Sequence, residues 1–354
     1  MNKILLIHQK EIQHYRVNIY NYLSKYLKKR GFELSVISEG IQKGNTYKPE
    51  FTNIFTKLKF SLLIQKIINV KPKAVILFVN LNNLYLFPII FCIKLLKIKV
   101  VYWGHGIDLQ DKQSLLKLLL YRLEHYLSDG IILYAEHLKN NIIHSLHYKC
   151  FIANNTLNFT EISIEPFEKD LVLSKYGITT KKIIILTGRI QKRKRIEDLI
   201  QAFKKLNDCT IGLICVGPCD DELYGMINNE LENVFFLGPI YGSEAIRILM
   251  SSDVYCIPGS IGLSIVDAQF CGLPIVTENV DHGPEIMYFK EGVNGYMVPK
   301  GDINALANRL SQLLYNDDLR KRFSVAAKEG IEINGHIDRL CEGFYNCLNF
   351  VLLK

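Results

Sequence analysis

The sequence has no apolar run long enough to cross a bilayer. Its longest, Leu84 to Leu96, is interrupted by Pro88 and Lys94 and falls short of the ~20 residues a membrane-spanning helix needs. It reads as a core helix, with interfacial membrane contact as the lesser alternative. The opening Met1-Asn2-Lys3-Ile4-Leu5-Leu6-Ile7-His8 is too short in its apolar stretch for a secretory signal and reads as a first buried strand. Metal-ligand spacing is also missing. Nine cysteines stand singly, Cys215 and Cys219 form the only close pair in a likely binding edge, and no second pair or histidine partner completes a zinc site. An odd number of isolated thiols fits a reducing cytosol, where cysteine acts as a small apolar residue. Low-complexity tracts and short repeats are absent.

What is present is a chain of 354 residues, 49% hydrophobic and 22% charged. That is too long for one ordinary core, suits two domains, and excludes a disordered chain. The net charge is +8, with lysine and arginine gathered at Lys25 to Arg30, Lys57 to Lys73, Lys94 to Lys99 and Lys181 to Arg195. Such clusters suit phosphorylated ligands or an anionic membrane surface. Nucleic acid is disfavoured, because the basic residues are not interleaved with aromatics on a recognisable module.

Strand-length apolar runs alternate with longer amphipathic stretches, the pattern of parallel sheets with crossover helices. Strands are expected at Lys3 to His8, Phe32 to Ile37, Ala74 to Val79, Val100 to Trp103, Gly130 to Tyr134 and Cys150 to Ala153, with helices at Val17 to Arg30 and Leu115 to Ser128. After Asn154-Asn155-Thr156 a polar stretch through Glu161, Pro166 and Glu168 reads as a linker. A second series follows, with strands at Ile183 to Thr187, Thr210 to Val216, Val234 to Leu237, Val254 to Ile257, Pro274 to Thr277 and Tyr296 to Val298. Its helices fall at Ile196 to Leu206, Gly242 to Ser251, Leu263 to Cys271 and Ile303 to Tyr315, and Leu319 to Leu353 is helical by pattern. The expected class is α/β, two doubly wound domains over 1–165 and 166–335, with a C-terminal helix over 336–354 that packs back on the first.

Two segments point to an anion site. Pro258-Gly259-Ser260-Ile261-Gly262-Leu263-Ser264 leads from a strand into a helix whose first amides are free for phosphate oxygens. Gly188-Arg189-Ile190-Gln191-Lys192-Arg193-Lys194 supplies fixed positive charge at the end of another strand, where open α/β sheets bind ligands. A diphosphate suits the pair. His105, bracketed by Gly104 and Gly106, is expected at a strand's C-terminal edge rather than in the core.

In order and spacing over about 115 residues these pieces resemble the retaining glycosyltransferases of family 4, of the group 1 glycosyl transferases. The resemblance rests on Gly188-Arg189 to Lys194, the helix Ile196 to Phe203, Val216-Gly217-Pro218, Phe236-Leu237-Gly238, Pro258 to Val276, Gly283-Pro284-Glu285 and Asn294-Gly295-Tyr296. His14-Tyr15-Arg16 and Trp103-Gly104-His105-Gly106 match more loosely. It implies the GT-B fold, two facing Rossmann-like domains with a cleft between them, and transfer of a sugar from a nucleotide sugar to a hydroxyl with retention. It also implies front-face transfer, in which the departing phosphate oxygen helps deprotonate the acceptor. Arg189 and Lys194 would stabilise the leaving diphosphate, and His105 would contact the donor sugar or leaving phosphate. Gly188, Gly262, Leu263, Ser264, Asp267 and Glu285 would form the donor site, and His14 and Arg16 would touch acceptor or phosphate.

Two departures stand out. The family's pair of glutamates eight residues apart falls on Gly259 and Asp267, and Gln9 to Gln13 replaces the glycine-rich loop after the first strand. With Gly259 in place of a carboxylate, the amides near Ser260 and Ile261 are expected to meet the sugar, or the donor to be a deoxy sugar. No Asp-x-Asp stands at a strand end, so a metal-independent enzyme without cofactor is expected. The implied setting is cytoplasmic, peripheral on the cytoplasmic face of the membrane, with a growing surface polysaccharide or lipid-linked oligosaccharide, such as lipopolysaccharide, as acceptor. A GT-B sugar-nucleotide epimerase and a non-catalytic nucleotide-sugar-binding subunit are the alternatives.

Overall fold

A computed structural model describes residues 1–43, 47–78, 86–108, 114–219 and 232–353. The chain divides into two compact units, residues 1–158 with 336–354, and residues 159–335. Val79, and Leu84 at the start of the expected core helix, lie outside the described residues.

The first unit is built on a seven-stranded parallel sheet of order β5-β3-β1-β6-β7-β8-β9. These strands are β1 (Asn2–Ile7), β3 (Phe32–Ser38), β5 (Thr52–Phe55), β6 (Ala74–Phe78), β7 (Lys99–Gly104), β8 (Gly130–Leu133) and β9 (Cys150–Ile152). Two short strands, β2 (Glu11–Ile12) and β4 (Gly40–Ile41), pair separately. The central strands are apolar on both faces because helices cover both, as parallel sheets require. The described helices are α1 (His14–Lys28), α2 (Phe60–Val70), α3 (Leu86–Leu95) and α4 (Leu115–Leu127). Leu5, Ile7, Val75, Leu77, Leu63 and Ile89 form part of one buried cluster. Trp103 is fully buried, its ring 5.4 Å from that of Tyr134 and 4.9 Å from that of Phe344.

The second unit has a six-stranded parallel sheet of order β12-β11-β10-β13-β14-β15. Its strands are β10 (Lys182–Thr187), β11 (Ile211–Val216), β12 (Val234–Gly238), β13 (Val254–Ile257), β14 (Ile275–Glu278) and β15 (Gly295–Val298). Described helices are α5 (Lys169–Ser174), α6 (Ile196–Leu206), α7 (Gly242–Met250), α8 (Ser264–Phe270), α9 (Ile303–Tyr315) and α10 (Asp317–Asn334). Helix α6 buries Ile196, Leu199, Ile200 and Ala202, one stripe at helical spacing. Asp302 and Asn316 cap α9 and α10 through the amides of Ala305 and Leu319. The chain builds outward from β10 to β12 and resumes at β13 on the other side of β10. This reversal is the topological switch point, and α/β sheets bind ligands beyond the strand ends there.

The last helix, α11 (Ile337–Leu353), returns to the first unit and packs on β8 and β9. Gly343 makes the close approach feasible, since a Cβ there would stand 2.2 Å from the carbonyl oxygen of Ile152. The expected C-terminal helical segment is thus two helices, α10 and α11, broken at Gly335.

Candidate functional site

Three loops leave the carboxyl ends of β10, β13 and β14 and are tied into one rim. The basic loop turns through Gly188, at φ +105°, and forms a single 3-10 turn over Lys192–Lys194 before Arg195 enters α6 at φ +53°. Its carbonyls face the loop after β13: Gly259 N–H donates to Lys194 O and Ser260 N–H to Arg193 O, each at 3.0 Å. The Ile261 amide donates to Nδ1 of His282 at 3.1 Å, while the Ile261 carbonyl accepts from Gly283 N–H at 2.9 Å. Since Nδ1 accepts, the ring proton sits on Nε2, which donates to Glu278 O at 3.0 Å. Burial lowers the pKa of His282, and both ring nitrogens serve the neutral form. Arg195 Nε donates to buried Glu278 at 2.9 Å, and the guanidinium also pairs with Asp198.

Within this rim Lys194 is buried, and its Nζ donates to Ser260 O at 2.5 Å. Burial, with a smaller push from Arg193, lowers its pKa to about 8, and the charge of Glu285 opposes the shift. Glu285 is itself buried on a 3-10 turn that Pro284 begins, Pro fitting a first helical position. Gly262 lies beside Lys194, a Cβ there reaching 4.0 Å from Nζ, and the Gly188 Cβ position lies 3.9 Å from the Ser264 side chain. Tyr255 fixes Ser264, hydroxyl to hydroxyl at 2.7 Å. Leu263 precedes the first turn of α8, and neither its amide nor that of Ser264 donates to a backbone oxygen among the described residues.

The remaining donor-side residues divide. Arg189 is exposed, with no ion pair among the described residues. Asp267 lies one turn inside α8, crowded enough that burial raises its pKa to about 7, and its charge is felt by Tyr255 and Cys271 rather than by Lys194.

Gly259 requires a correction. A Cβ there would sit 2.1 Å from the Arg193 carbonyl oxygen and 2.6 Å from the Lys194 backbone, so this position admits no side chain at all. The amides of Ser260 and Ile261 are spent on Arg193 O and His282 and do not face a sugar. Gly259 thus records a close approach of two loops and carries no information about the sugar.

In the first unit the structure brings His105 and Arg16 together around Tyr134. The His105 ring is 4.8 Å from that of Tyr134, and burial, then the charge of Arg16, lower its pKa to about 4. Arg16 is buried, its guanidinium 5.1 Å from the Trp103 ring centroid, with Nη2 at 3.5 Å from Tyr134 Oη and Asn155 Oδ1. His14 opens α1, half-buried, set edge-on to Tyr15 at 5.6 Å. Sequence reasoning missed His282 and the Arg195–Glu278 pair. The signal for His282 is its place directly before Gly283-Pro284-Glu285.

A basic loop, a second loop zipped to it and a buried lysine, all at a topological switch point, form a frame for a polyanion. Residues 169–330 match the family of glycosyl transferases group 1. The first relative is a phosphatidyl-myo-inositol mannosyltransferase of Mycobacterium leprae, 30% identical over 50% of this chain and 47% of its own. The chain thus spans about half the length of that relative. An N-acetyl-alpha-D-glucosaminyl L-malate synthase of Bacillus anthracis is 27% identical over 87% of each chain. An Anabaena protein solved in complex with UDP superposes with a TM-score of 0.80 at 13% identity, covering 99% of this chain and all of the other. The fold is GT-B.

Proposed function

We propose that this protein is a retaining glycosyltransferase, hexosyl or deoxyhexosyl, that moves a sugar from a nucleoside-diphosphate donor to a hydroxyl of a surface polysaccharide or lipid-linked oligosaccharide. The observation that carries the reading is Lys194, buried between two hydrogen-bonded loops at the switch point of a unit that matches group 1. A preorganised cation is worth most where charge grows in the transition state and water is scarce. In this reading Lys194 and Arg189 meet the leaving diphosphate, the amides of Leu263 and Ser264 add donors, and Asp267 addresses the ribose. Glu285 orients Lys194 and the sugar.

His105, His14 and Arg16 lie in the first unit, and we assign them to the sugar and the acceptor. Metal is dispensable in this scheme, because fixed cations neutralise the leaving group. The UDP held by the Anabaena protein supports a nucleotide donor, and the phosphatidyl-myo-inositol and L-malate in the names of the two relatives, both hydroxyl compounds, support a hydroxyl acceptor. The reading places the protein in the cytoplasm, held peripherally at the membrane by its basic surface. Product analysis with UDP-, GDP- and dTDP-sugars tests it: glycoside formed only with acceptor present supports transfer, whereas an altered nucleotide sugar without acceptor points to an epimerase.

A further inference from the structure

Helix α4 is turned inside out. Its outward face presents Leu115, Leu116, Leu119, Leu123 and Tyr126, each between 41% and 81% exposed, with Arg122 as the one charge among them. These positions fall on one side of a helix about 20 Å long. Its inward face instead buries Tyr121, Glu124 and His125. A soluble helix places these two sets the other way round, and an apolar face of this extent on a helix surface marks an interaction site.

The foot of the stripe is basic. Tyr126 lines a cavity of about 380 Å³ together with Lys94, Lys99, Lys149, Tyr148 and one carboxylate, Asp129. Lys149 is buried and gives two donors to Ser128 O, at 2.6 Å, and Tyr126 O, at 3.3 Å, which leaves a third for an incoming anion. Lys94 is paired with Asp129. Lys3, Lys73 and Lys99 stand side by side where β1, β6 and β7 begin, the Lys73 amide donating to Lys3 O and the Lys99 amide to Lys73 O. This is the amino-terminal edge of the sheet, away from His105 at the carboxyl end of β7.

We propose that the outward face of α4 inserts into the boundary of an anionic phospholipid surface while the lysine cavity at its foot receives a lipid headgroup phosphate. The apolar stripe alone fits any greasy partner. The lysine edge it runs into selects a negatively charged one, and Arg122 and Tyr126 are side chains that keep a polar tip at an interface while burying an apolar body. This rests on the reading of the protein as peripheral to the membrane and names the surface responsible.

Co-sedimentation with vesicles tests it, using phosphatidylcholine alone and phosphatidylcholine with phosphatidylglycerol. The full chain is expected to bind the anionic vesicles, with a part of the binding that survives high salt because it comes from insertion. Leu119→Asp with Leu123→Asp lowers partitioning by about tenfold or more, while thermal unfolding and donor turnover stay as in the wild type. Lys99→Glu lowers binding roughly fivefold on anionic vesicles and leaves phosphatidylcholine binding unchanged. Wild-type protein that binds neither vesicle overturns the peripheral reading itself. Wild-type binding that the leucine pair does not weaken overturns only the α4 surface. A wild-type dimer that the leucine pair makes monomeric, with vesicle binding intact, assigns the stripe to a second copy of this chain and also overturns the proposal.

Discussion

Lys194 Nζ donates to the carbonyl oxygen of Ser260 at 2.5 Å, a side chain of one loop closing on the backbone of another. The ammonium is thereby buried without leaving water unreplaced, and it is held where the loops after β10 and β13 meet. A carbonyl is a weak partner for a full charge, so a diphosphate at this place has a cation ready for it.

Lys194→Ala and Arg189→Ala are each expected to lower transfer by on the order of a hundredfold, the usual loss when a preorganised charge donor is removed. Steady-state rates with the native donor check this, with circular dichroism to show that folding is intact. Arg189 is exposed, so its variant is expected to lose activity with no loss of stability.

Donor binding is expected to weaken at alkaline pH. Free Lys194 has its pKa lowered to about 8, and a bound diphosphate raises it. The contribution of Lys194 to the affinity for a nucleoside diphosphate is therefore constant below about pH 8 and falls by up to tenfold per unit above it. Calorimetry in buffers of different ionisation enthalpy is expected to show proton uptake on binding near pH 8.5, absent in Lys194→Ala.

Glu124 sets a pH slope on stability. Its buried carboxyl has no hydrogen-bond partner among the described residues, and burial raises its pKa to about 8. Between the unfolded value near 4.5 and about 8 the native state keeps a proton that the unfolded state has lost, so this group's contribution falls as pH rises and levels off above 8. Urea unfolding of Glu124→Gln is expected to gain on the wild type by up to about 1.4 kcal/mol per pH unit across that window. An advantage that does not grow with pH contradicts the assignment.

Gly259→Ala is expected to disrupt the rim, because its Cβ meets the Arg193 carbonyl oxygen. Loss of activity together with a lowered melting temperature is the predicted pair. A Gly259→Ala enzyme with native stability and turnover would show that the two loops do not meet as described.

Activity is expected to persist in excess EDTA, since Lys194 and Arg189 supply the positive charge a divalent ion otherwise brings to a diphosphate. Assays of chelated enzyme, with and without added magnesium, measure this directly. Complete, metal-reversible loss would contradict it.

The parallel strands were legible because both faces of such sheets are buried, which writes runs like Ile183 to Thr187 as unbroken apolar segments. Strand β5 (Thr52–Phe55) was not, for it is a half-exposed edge strand whose Thr-Asn-Ile-Phe carries little pattern. Helix α1 begins at His14, three residues before its periodic apolar face, without a side-chain cap to announce it. The sites were legible as loops but not as contacts. Sequence places Lys194 and Gly259 on their turns, yet only the fold shows the Gly259 backbone pressed on Arg193 and the Ser260 and Ile261 amides already spent. Arg16 reads as a contact for acceptor or phosphate at the start of α1, and only the fold shows Trp103 and Tyr134, distant in sequence, closing over it. Sequence gives Leu115 to Ser128 as a helix, and only the fold shows that its leucines face outward while Tyr121, Glu124 and His125 are buried.

The central claim is that the rim around Lys194 holds a nucleoside diphosphate, and thermal shift against UDP, GDP, dTDP and their sugars tests it most directly. Ligand that binds only the folded state raises the melting temperature. One nucleotide series is expected to raise it by several degrees in the wild type and to leave Lys194→Ala unmoved. No shift from any nucleotide, or the same shift in Lys194→Ala as in the wild type, contradicts the account.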